Sequence, residues 1–384
     1  RLTFIQNALG GINNAMKRNR CTLGIYRGSP EAVFEKIIRE FPVEKVITNH
    51  DYEPYAMERD EAIKQLLKAQ DIDFITYKDQ VIFERNEVVK DDGTPYKVYT
   101  PYSRKWLAKY QAEGLEHFPS EDLLDNIYNE NPLPQTDLKE MGMQSSSLNP
   151  VAYKFDDELI DQYEATRNFP SIDKTSRLGV HLRFGTQSIR KLISKSASRE
   201  NQTFVKELIW REFFMQILWH FPHTVNQCFK KQYDRIEYRN NEEEFEKWCQ
   251  GKTGYPLVDA GMRQLNRTGF MHNRVRMLTA SFLCKHLLID WRWGEAYFAE
   301  KLFDYEMSSN IGNWQWSSGC GVDAAPYFRI FNPHEQIKKF DKSLEYIKTW
   351  VEDLEQPTYP EPIVEHKFAR ERCLKMYKLA LNNQ

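Results

Sequence analysis

The pattern of apolar and polar positions divides the chain into a mixed first part and a second part that is helical almost throughout. An amphipathic helix is predicted at the start, where apolar residues have helical spacing: Phe4, Ile5, Leu9 and Ile12. Three short apolar runs, 23–26, 46–48 and 74–77, are typical of buried strands. Residues 30–40 and 55–70 lie between these runs and have helical patterns. Strands and helices in this alternation predict a parallel sheet.

Residues 114–152 have the composition of a linker rather than of a packed element. They contain four prolines and the run of three serines at 145–147. From about residue 153 the apolar spacing is helical. We therefore predict an α/β domain at 1–113, a linker at 114–152 and an all-helical domain at 153–384.

Composition and charge limit the classes of function. The 384 residues exceed what one core usually supports, and no apolar run is long enough for a membrane span. Lys and Arg number 19 against 24 Asp and Glu in residues 1–150, and 34 against 31 in residues 151–384. Any contact with nucleic acid is therefore expected to be local and in the second half. The six cysteines lack metal or redox spacing, which favours a reducing, intracellular compartment without a structural metal.

The densest chemical signal is the segment 310–333, which combines aromatics, glycines, amides and one arginine. Trp314 and Trp316 lie one residue apart and cannot point the same way, so that one can face an interior cofactor and the other a cavity. A second signal is a stripe at helical spacing that places an acid and a base among aromatics: Phe204, Glu207, Trp210, Arg211 and Phe214. Charged groups in such a stripe need a hydrogen-bonding partner.

Several separated motifs stand in one order along the chain: 251–256, 258–260, 271–277, 290–292 and 310–333. In this order they resemble the photolyase/cryptochrome family, closest to its class I cyclobutane-dimer members, as far as about Arg372. The resemblance implies a light-driven flavoprotein with a Rossmann-like α/β antenna domain and an all-α FAD-binding domain. In the family a strand, a helix and a further strand precede the position of Arg1, so a fragment with an incomplete α/β domain is expected.

FAD, active in its reduced form, is the cofactor that the resemblance implies. Its implied contacts are Tyr163, Thr175, Ser176, Arg177, Leu178, Gly179, Phe204, Arg211, Arg276, Asp304, Tyr305, Glu306 and Asn310. Hydroxyls and free amides at 175–179 suit a pyrophosphate. Asp304 is expected to pair with Arg276, and Asn310 to face flavin N5. Phe204 and Glu306 stand where the family usually has Trp and Asp. The sequence does not choose between a folate and a deazaflavin as a second, antenna chromophore.

UV-damaged DNA is the implied partner. The implied contacts with it are Arg167, Glu207, Trp210, Arg211, Asn273, Arg274, Met277, Trp316, Arg329 and Gln336. Trp210 and Trp316 are expected to stack on a flipped-out dimer from two sides. Glu207, Asn273, Met277 and Asn310 are the expected catalytic residues. Family members that act on the (6-4) photoproduct carry histidines at the positions of Asn273 and Met277, so the cyclobutane dimer is the expected substrate.

An electron relay to the flavin is also implied by the family. Its inner and middle tryptophans match Trp314 and Trp291, and the outer one falls on Tyr238. A phenol can serve as terminal donor only if its proton leaves with the electron. Trp248 or another exposed aromatic is therefore expected to substitute for Tyr238.

We therefore predict light-dependent DNA repair in which photoexcited, reduced FAD passes an electron to a cyclobutane pyrimidine dimer and splits it. A cryptochrome-type blue-light receptor that signals through a protein partner is the alternative, and a flavin-free nucleic-acid-binding module is the third. A monomer without an obligate protein partner or a membrane association is expected. Its expected location is the cytoplasm, at the nucleoid if the source is prokaryotic.

Overall fold

The computed structural model describes residues 1–17, 21–128 and 133–382, so that 129–132 of the predicted linker lie outside the described residues. The chain forms two compact units. The first consists of Arg1–Ile82, Tyr110–Asn149 and Phe184–Leu192, and the second of Phe83–Lys109, Pro150–Arg183 and Ile193–Gln384. Neither unit is continuous in sequence.

The first unit contains a two-stranded parallel sheet covered by helices. Its elements are α1 (Leu2–Lys17), α2 (Pro30–Glu40), β1 (Lys45–Asn49), α3 (Pro54–Lys68) and β2 (Asp73–Tyr77). The strands are in register with Val46 beside Phe74 and Ile47 beside Ile75. The side-chain oxygen of Ser29 accepts from the Ala32 N–H at 3.3 Å and caps α2. The predicted helices and the parallel sheet are confirmed.

The run at 23–26 is not a strand of this sheet, and that prediction was wrong. Ile25 forms an isolated parallel bridge with Gln135 instead. Its N–H donates to the Pro134 carbonyl at 2.7 Å, and its carbonyl accepts from the Thr136 N–H at 3.1 Å. The two observed strands are also less buried than predicted, since 59% of Ile47 is exposed. An apolar run shows which residues can pair, but not which neighbour covers them.

The second unit is helical, as the spacing predicts. Its α-helices are α4 (Tyr99–Glu113), α5 (Asp157–Thr166), α6 (Gly179–Arg183), α7 (Ile189–Ala197), α8 (Thr203–His220), α9 (Glu242–Gln250), α10 (Pro256–Thr268), α11 (Asn273–Ser281), α12 (Trp291–Lys301), α13 (Met307–Ser318), α14 (Pro333–Phe340), α15 (Glu345–Trp350) and α16 (His366–Asn382). Of α4 only the part up to Lys109, and of α7 only the part from Ile193, belong to this unit. A π-helical turn, Phe282–His286, follows α11. No helix of the described residues is both long and apolar enough to cross a membrane.

Side-chain caps fix where the helices around the site begin. The Nδ1 of His272 accepts from the Arg274 N–H at 3.1 Å and starts α11. The Asp290 carboxylate accepts from the Arg292 N–H at 3.0 Å and starts α12. The first backbone amides of a helix have no acceptor within the helix, so these side chains determine at which residue the helices that carry the site begin.

Candidate functional site

Two adjoining cavities lie within the second unit. The larger, of about 260 Å³, is lined by the segment at 175–179 together with Tyr163. The smaller, of about 90 Å³, is lined by residues of α11, α12 and α13, among them Asn310 and Trp314. Asn273, Arg276 and Asp304 line both cavities. The cavities therefore meet at these three side chains, and much of the predicted cofactor set lies around them.

The segment at 175–179, which lines the larger cavity, has an unusual backbone conformation. Arg177 has a φ of 57°, in the left-handed region, and its guanidinium lies over the Phe270 ring at 3.7 Å. A Cβ added to Gly179 would lie 2.7 Å from Asp304 Oδ2. Only glycine allows α6 to begin this close to the carboxylate.

Arg276 and Asp304 form the ion pair that the sequence predicts. The Nη2–Oδ2 distance is 2.9 Å and the Nη1–Oδ1 distance is 3.2 Å. The Nε of Arg276 donates to the Met271 carbonyl at 2.7 Å. This third bond fixes the guanidinium, so the Asp304 carboxylate has a defined orientation where the cavities meet.

Asn310 is oriented by Glu295, a residue that sequence reasoning missed. The Asn310 Nδ2 donates to Glu295 Oε1 at 2.9 Å and to the Glu295 carbonyl at 3.2 Å. Burial raises the pKa of Glu295, while hydrogen bonds from Asn310 and Tyr305 oppose the shift. Because both donors of the amide are engaged, its Oδ1 is the atom left to accept a bond from an occupant of the smaller cavity. No local spacing signals this pair, whose members lie on different helices.

Glu306 lines the smaller cavity, but its carboxylate caps α13. It accepts from the Ser308 N–H at 2.9 Å and from the Ser309 N–H at 2.8 Å. The side chain is 8% exposed. The longer side chain at this position thus serves the start of the helix, and Tyr305 beside it also lines the cavity.

The predicted stripe on α8 lies outside both cavity linings. Phe204 is buried between Phe155 and Tyr163, with ring centroids 5.4 and 5.0 Å away. Burial raises the pKa of Tyr163 to about 12. Glu207 forms an ion pair with Arg167, which supplies the partner that a charged group among aromatics needs.

The two tryptophans expected to enclose the substrate have different surroundings. Trp210 is half-buried and lies flat against Tyr99, with ring centroids 3.7 Å apart and an interplanar angle of 7°. Trp316 is also half-buried. Among the described residues that line the two cavities, neither tryptophan occurs. Sequence reasoning missed Tyr99, because it lies far from Trp210 along the chain.

The predicted relay residues differ in their burial and in whether they line the smaller cavity. Trp314 is 2% exposed, lines the smaller cavity and has Trp248 at a centroid distance of 6.1 Å. Trp291 is 1% exposed. The Tyr238 hydroxyl is buried without a hydrogen-bond partner among the described residues, and burial raises its pKa well above the ordinary value. This placement is less favourable for a terminal donor, since no hydrogen-bond acceptor for the proton lies among the described residues.

The remaining predicted DNA contacts lie on several elements. Arg274 donates to Asn168, and its guanidinium lies over the Phe340 ring at 4.5 Å. Arg329 is exposed, and its carbonyl accepts from buried Lys285 at 2.8 Å. Arg211 reaches the Leu182 carbonyl at 3.5 Å. Gln336 is half-buried on α14. Lys338 on the same helix pairs with Glu335 at 2.7 Å.

His272 gives the protein a predicted sensitivity to acid. Burial, and then the charges of Arg177, Arg276 and other arginines, lower its pKa from 6.5 to about 3. Below pH 6.5 the unfolded chain binds a proton that the folded protein does not, so stability falls by about 1.4 kcal/mol per pH unit. His272→Asn keeps a capping acceptor and cannot titrate. Between pH 7 and pH 5 we expect the free energy of unfolding, measured in urea, to fall by about 2 kcal/mol more in the wild type than in this variant. Equal losses would contradict the assignment.

The comparisons with known proteins agree with one another. Residues 1–122 match the family model described as DNA photolyase, and residues 204–358 match the one described as FAD binding domain of DNA photolyase. A deoxyribodipyrimidine photo-lyase of Alkalihalophilus pseudofirmus is 36% identical, over 94% of this chain and 85% of that protein. The crystal structure of a bacterial class III photolyase from Agrobacterium tumefaciens is similar with a TM-score of 0.86 and 32% identity, over 98% of this chain and 87% of that one.

An archaeal photolyase from Sulfolobus tokodaii, solved with two FAD molecules, is similar with a TM-score of 0.79 and 31% identity, over 98% of this chain and 88% of that one. A cryptochrome of Synechocystis is similar with a TM-score of 0.81, but at 23% identity over 98% of this chain and 88% of that one. That last likeness concerns the fold alone.

Proposed function

The chain belongs to the DNA photolyase family, and from that premise we propose that it repairs cyclobutane pyrimidine dimers in UV-damaged DNA, in light and with FAD. The observation that carries the proposal is the pair of cavities that meet at Asn273, Arg276 and Asp304. A cofactor with a phosphate end and a planar ring end needs two such connected spaces with different linings.

The residues around the cavities fit FAD. Thr175 and Ser176 offer hydroxyls in the larger cavity, and the close approach of Gly179 to Asp304 leaves no room for a side chain there. The Arg276–Asp304 pair and the oriented Oδ1 of Asn310 supply polar contacts for the edge of a flavin ring. When bound, reduced flavin supplies the excited electron that splits the dimer.

The chain's own residues would bind and orient the lesion. Trp210 and Trp316 would provide aromatic faces for the flipped-out dimer, and Arg167 holds the Glu207 carboxylate in place on α8. Glu207 would contact the dimer, where negative charge develops. Asn273 and Met277 lie on one face of α11 and do not ionise, so the site would hold the lesion without supplying a proton.

A signalling role has less support. The relatives that share 36% and 34% identity with this chain are named deoxyribodipyrimidine photo-lyases. The likeness to a cryptochrome, at 23% identity, concerns the fold alone. We therefore keep DNA repair as the single proposed function. Damaged DNA is the proposed partner of a protein that acts as a monomer, inside the cell, where that substrate is found.

Gly179→Ala tests the cofactor site. The added Cβ would meet the Asp304 carboxylate at 2.7 Å, and overpacking of this kind costs about 1–3 kcal/mol. We expect the ratio of FAD to protein after purification to fall several-fold. Gly10→Ala is the matched control, since nothing lies within 4 Å of its added Cβ. A Gly179→Ala protein with the normal melting temperature and full FAD content would contradict this placement.

Glu207→Gln tests the repair function. The reduced protein is mixed with an oligonucleotide that carries one thymine dimer, and intact thymines are quantified against the light dose. We expect the yield per absorbed photon to fall several-fold while affinity in the dark changes little, because the contact matters most once charge has moved to the dimer. Glu164→Gln, at an exposed position on α5, is the control. No light-dependent repair by the wild type would reject the proposed function.

A further inference from the structure

Trp210 has one face covered by a residue from a distant part of the chain. Tyr99, at the start of α4, lies parallel to the indole with ring centroids 3.7 Å apart. The two rings are within 7° of coplanarity, so the contact covers a whole face rather than an edge. Tyr99 itself is 9% exposed.

Tyr99 is held at both ends. Its hydroxyl donates to the Lys206 carbonyl on α8 at 2.7 Å, and its backbone N–H donates to Asp323 Oδ2 at 3.0 Å. The ring also meets Phe213 edge-on, at 5.9 Å and 74°. With these contacts the phenol has one position against the indole and no room to swing away.

The helix that carries Tyr99 is tied to α8 through a buried carboxylate. Glu212 is 3% exposed. It accepts from the Phe83 N–H at 3.1 Å, from the Tyr102 hydroxyl at 3.3 Å and from the Trp106 indole N–H. Separating α4 from α8 would take two of these donors, Tyr102 and Trp106, away from a buried carboxylate, which is unfavourable. The stack on Trp210 therefore belongs to a rigid part of the second unit.

Two further aromatic rings that lie against Trp210 belong to its own helix. Phe213 meets the indole edge-on at 5.6 Å and 80°, and Phe214 is tilted against it at 5.5 Å and 31°. With one face covered by Tyr99, a flat ligand that stacks on the indole would have to use the opposite face. The indole is already fixed when such a ligand arrives.

We propose that Tyr99 is a positioning residue for lesion recognition, which holds the Trp210 indole so that its opposite face receives the flipped-out dimer. The inference rests on the proposed function, because it takes Trp210 to be the stacking partner of the lesion. An indole that is fixed beforehand loses no side-chain freedom on binding. The benefit is specific to damaged DNA, since an undamaged duplex places no base on Trp210.

The size of the effect follows from the fixed rotamer alone, because the contact between Tyr99 and Trp210 is present in both the free and the bound protein. Ordering one such side chain corresponds to about 2- to 10-fold in an equilibrium constant. We expect Tyr99→Leu to weaken the affinity of the FAD-loaded protein for dimer-containing duplex by about 3- to 10-fold in the dark. Affinity for the undamaged duplex stays unchanged. Tyr99→Phe keeps the ring and restores most of the discrimination.

A double-mutant cycle separates this inference from the proposed function. Tyr99→Leu, Trp210→Ala and the double variant are compared for affinity to damaged and undamaged duplex at matched FAD content. We expect the double variant to equal Trp210→Ala, because Tyr99 acts only through the indole. Tyr99→Met replaces the Leu variant if that protein does not fold.

Three outcomes overturn the inference. Additive losses would show that Tyr99 acts independently of Trp210. A loss of affinity in Trp210→Ala but not in Tyr99→Leu would show that the indole needs no support, while leaving the proposed function intact. Unchanged affinity in Trp210→Ala would remove Trp210 from lesion binding and thereby contradict that part of the proposed function as well.

Discussion

Trp314→Phe is expected to abolish light-driven reduction of bound FAD while leaving the FAD content normal. A phenyl ring is much harder to oxidise than an indole, and Trp314 is the tryptophan among the residues that line the smaller cavity in the described part of the chain. Absorption of the oxidised protein under blue light and a reductant measures this directly. Chemically reduced Trp314→Phe should still repair dimers, because the proposed relay would serve the cofactor and not the cleavage.

The route beyond Trp314 is expected to tolerate Tyr238→Phe. The Tyr238 hydroxyl has no hydrogen-bond partner among the described residues, so release of its proton with the electron is expected to be slow. Trp248 is 0% exposed, and its ring centroid lies 6.1 Å from that of Trp314. The ring centroid of Tyr297 lies 5.8 Å from that of Trp248. The Tyr297 hydroxyl donates to Asn266 Oδ1 at 2.7 Å. A tyrosyl radical in transient absorption that disappears in Tyr238→Phe would contradict this route.

Matched controls separate the two branches of the relay. Trp248→Phe removes the indole beside Trp314, and Tyr238→Phe removes the enclosed phenol. We expect the first variant to slow photoreduction more than the second. Trp248 was expected to substitute for Tyr238 as an exposed aromatic, but the structure shows that it is fully buried. Its contribution would therefore be that of an intermediate carrier.

Local patterns predicted much of the fold because they act over a few residues. Ser29 and Pro30 mark the start of α2, where the Ser29 side chain accepts the amide of Ala32. The same patterns failed at 23–26, because the partner of Ile25 is Gln135 and not a neighbouring strand. Which strand pairs with which depends on contacts that apolar spacing does not encode.

Individual site residues could be predicted only where a recognisable motif carries them. Arg276 and Asp304 were expected to pair, and they do so at 2.9 Å. Glu295, which orients Asn310, and Tyr99, which lies on Trp210, belong to no such motif. Their roles arise from distances between separate helices, and only the folded chain brings those helices together.

Substrate selectivity is expected to be nearly complete. Cleavage of a (6-4) photoproduct needs a proton donor beside the lesion, whereas a cyclobutane dimer splits without one. Among the described residues that line the two cavities, Asn273 and Met277 occur and no histidine does. His272 is adjacent in sequence, but its Nδ1 accepts from the Arg274 N–H, and its low pKa keeps it neutral. Asn273 and Met277 do not ionise, so neither is expected to supply a proton to a lesion.

Repair of two defined oligonucleotides by the chemically reduced protein tests the central claim most directly. One carries a single cyclobutane thymine dimer and the other a single (6-4) photoproduct, and each is incubated in blue light and in the dark before chromatography. We predict that the light restores intact thymines in the first oligonucleotide alone, and that nothing changes in the dark. Restoration of the (6-4) product, with or without the dimer, or of neither lesion, would contradict the account.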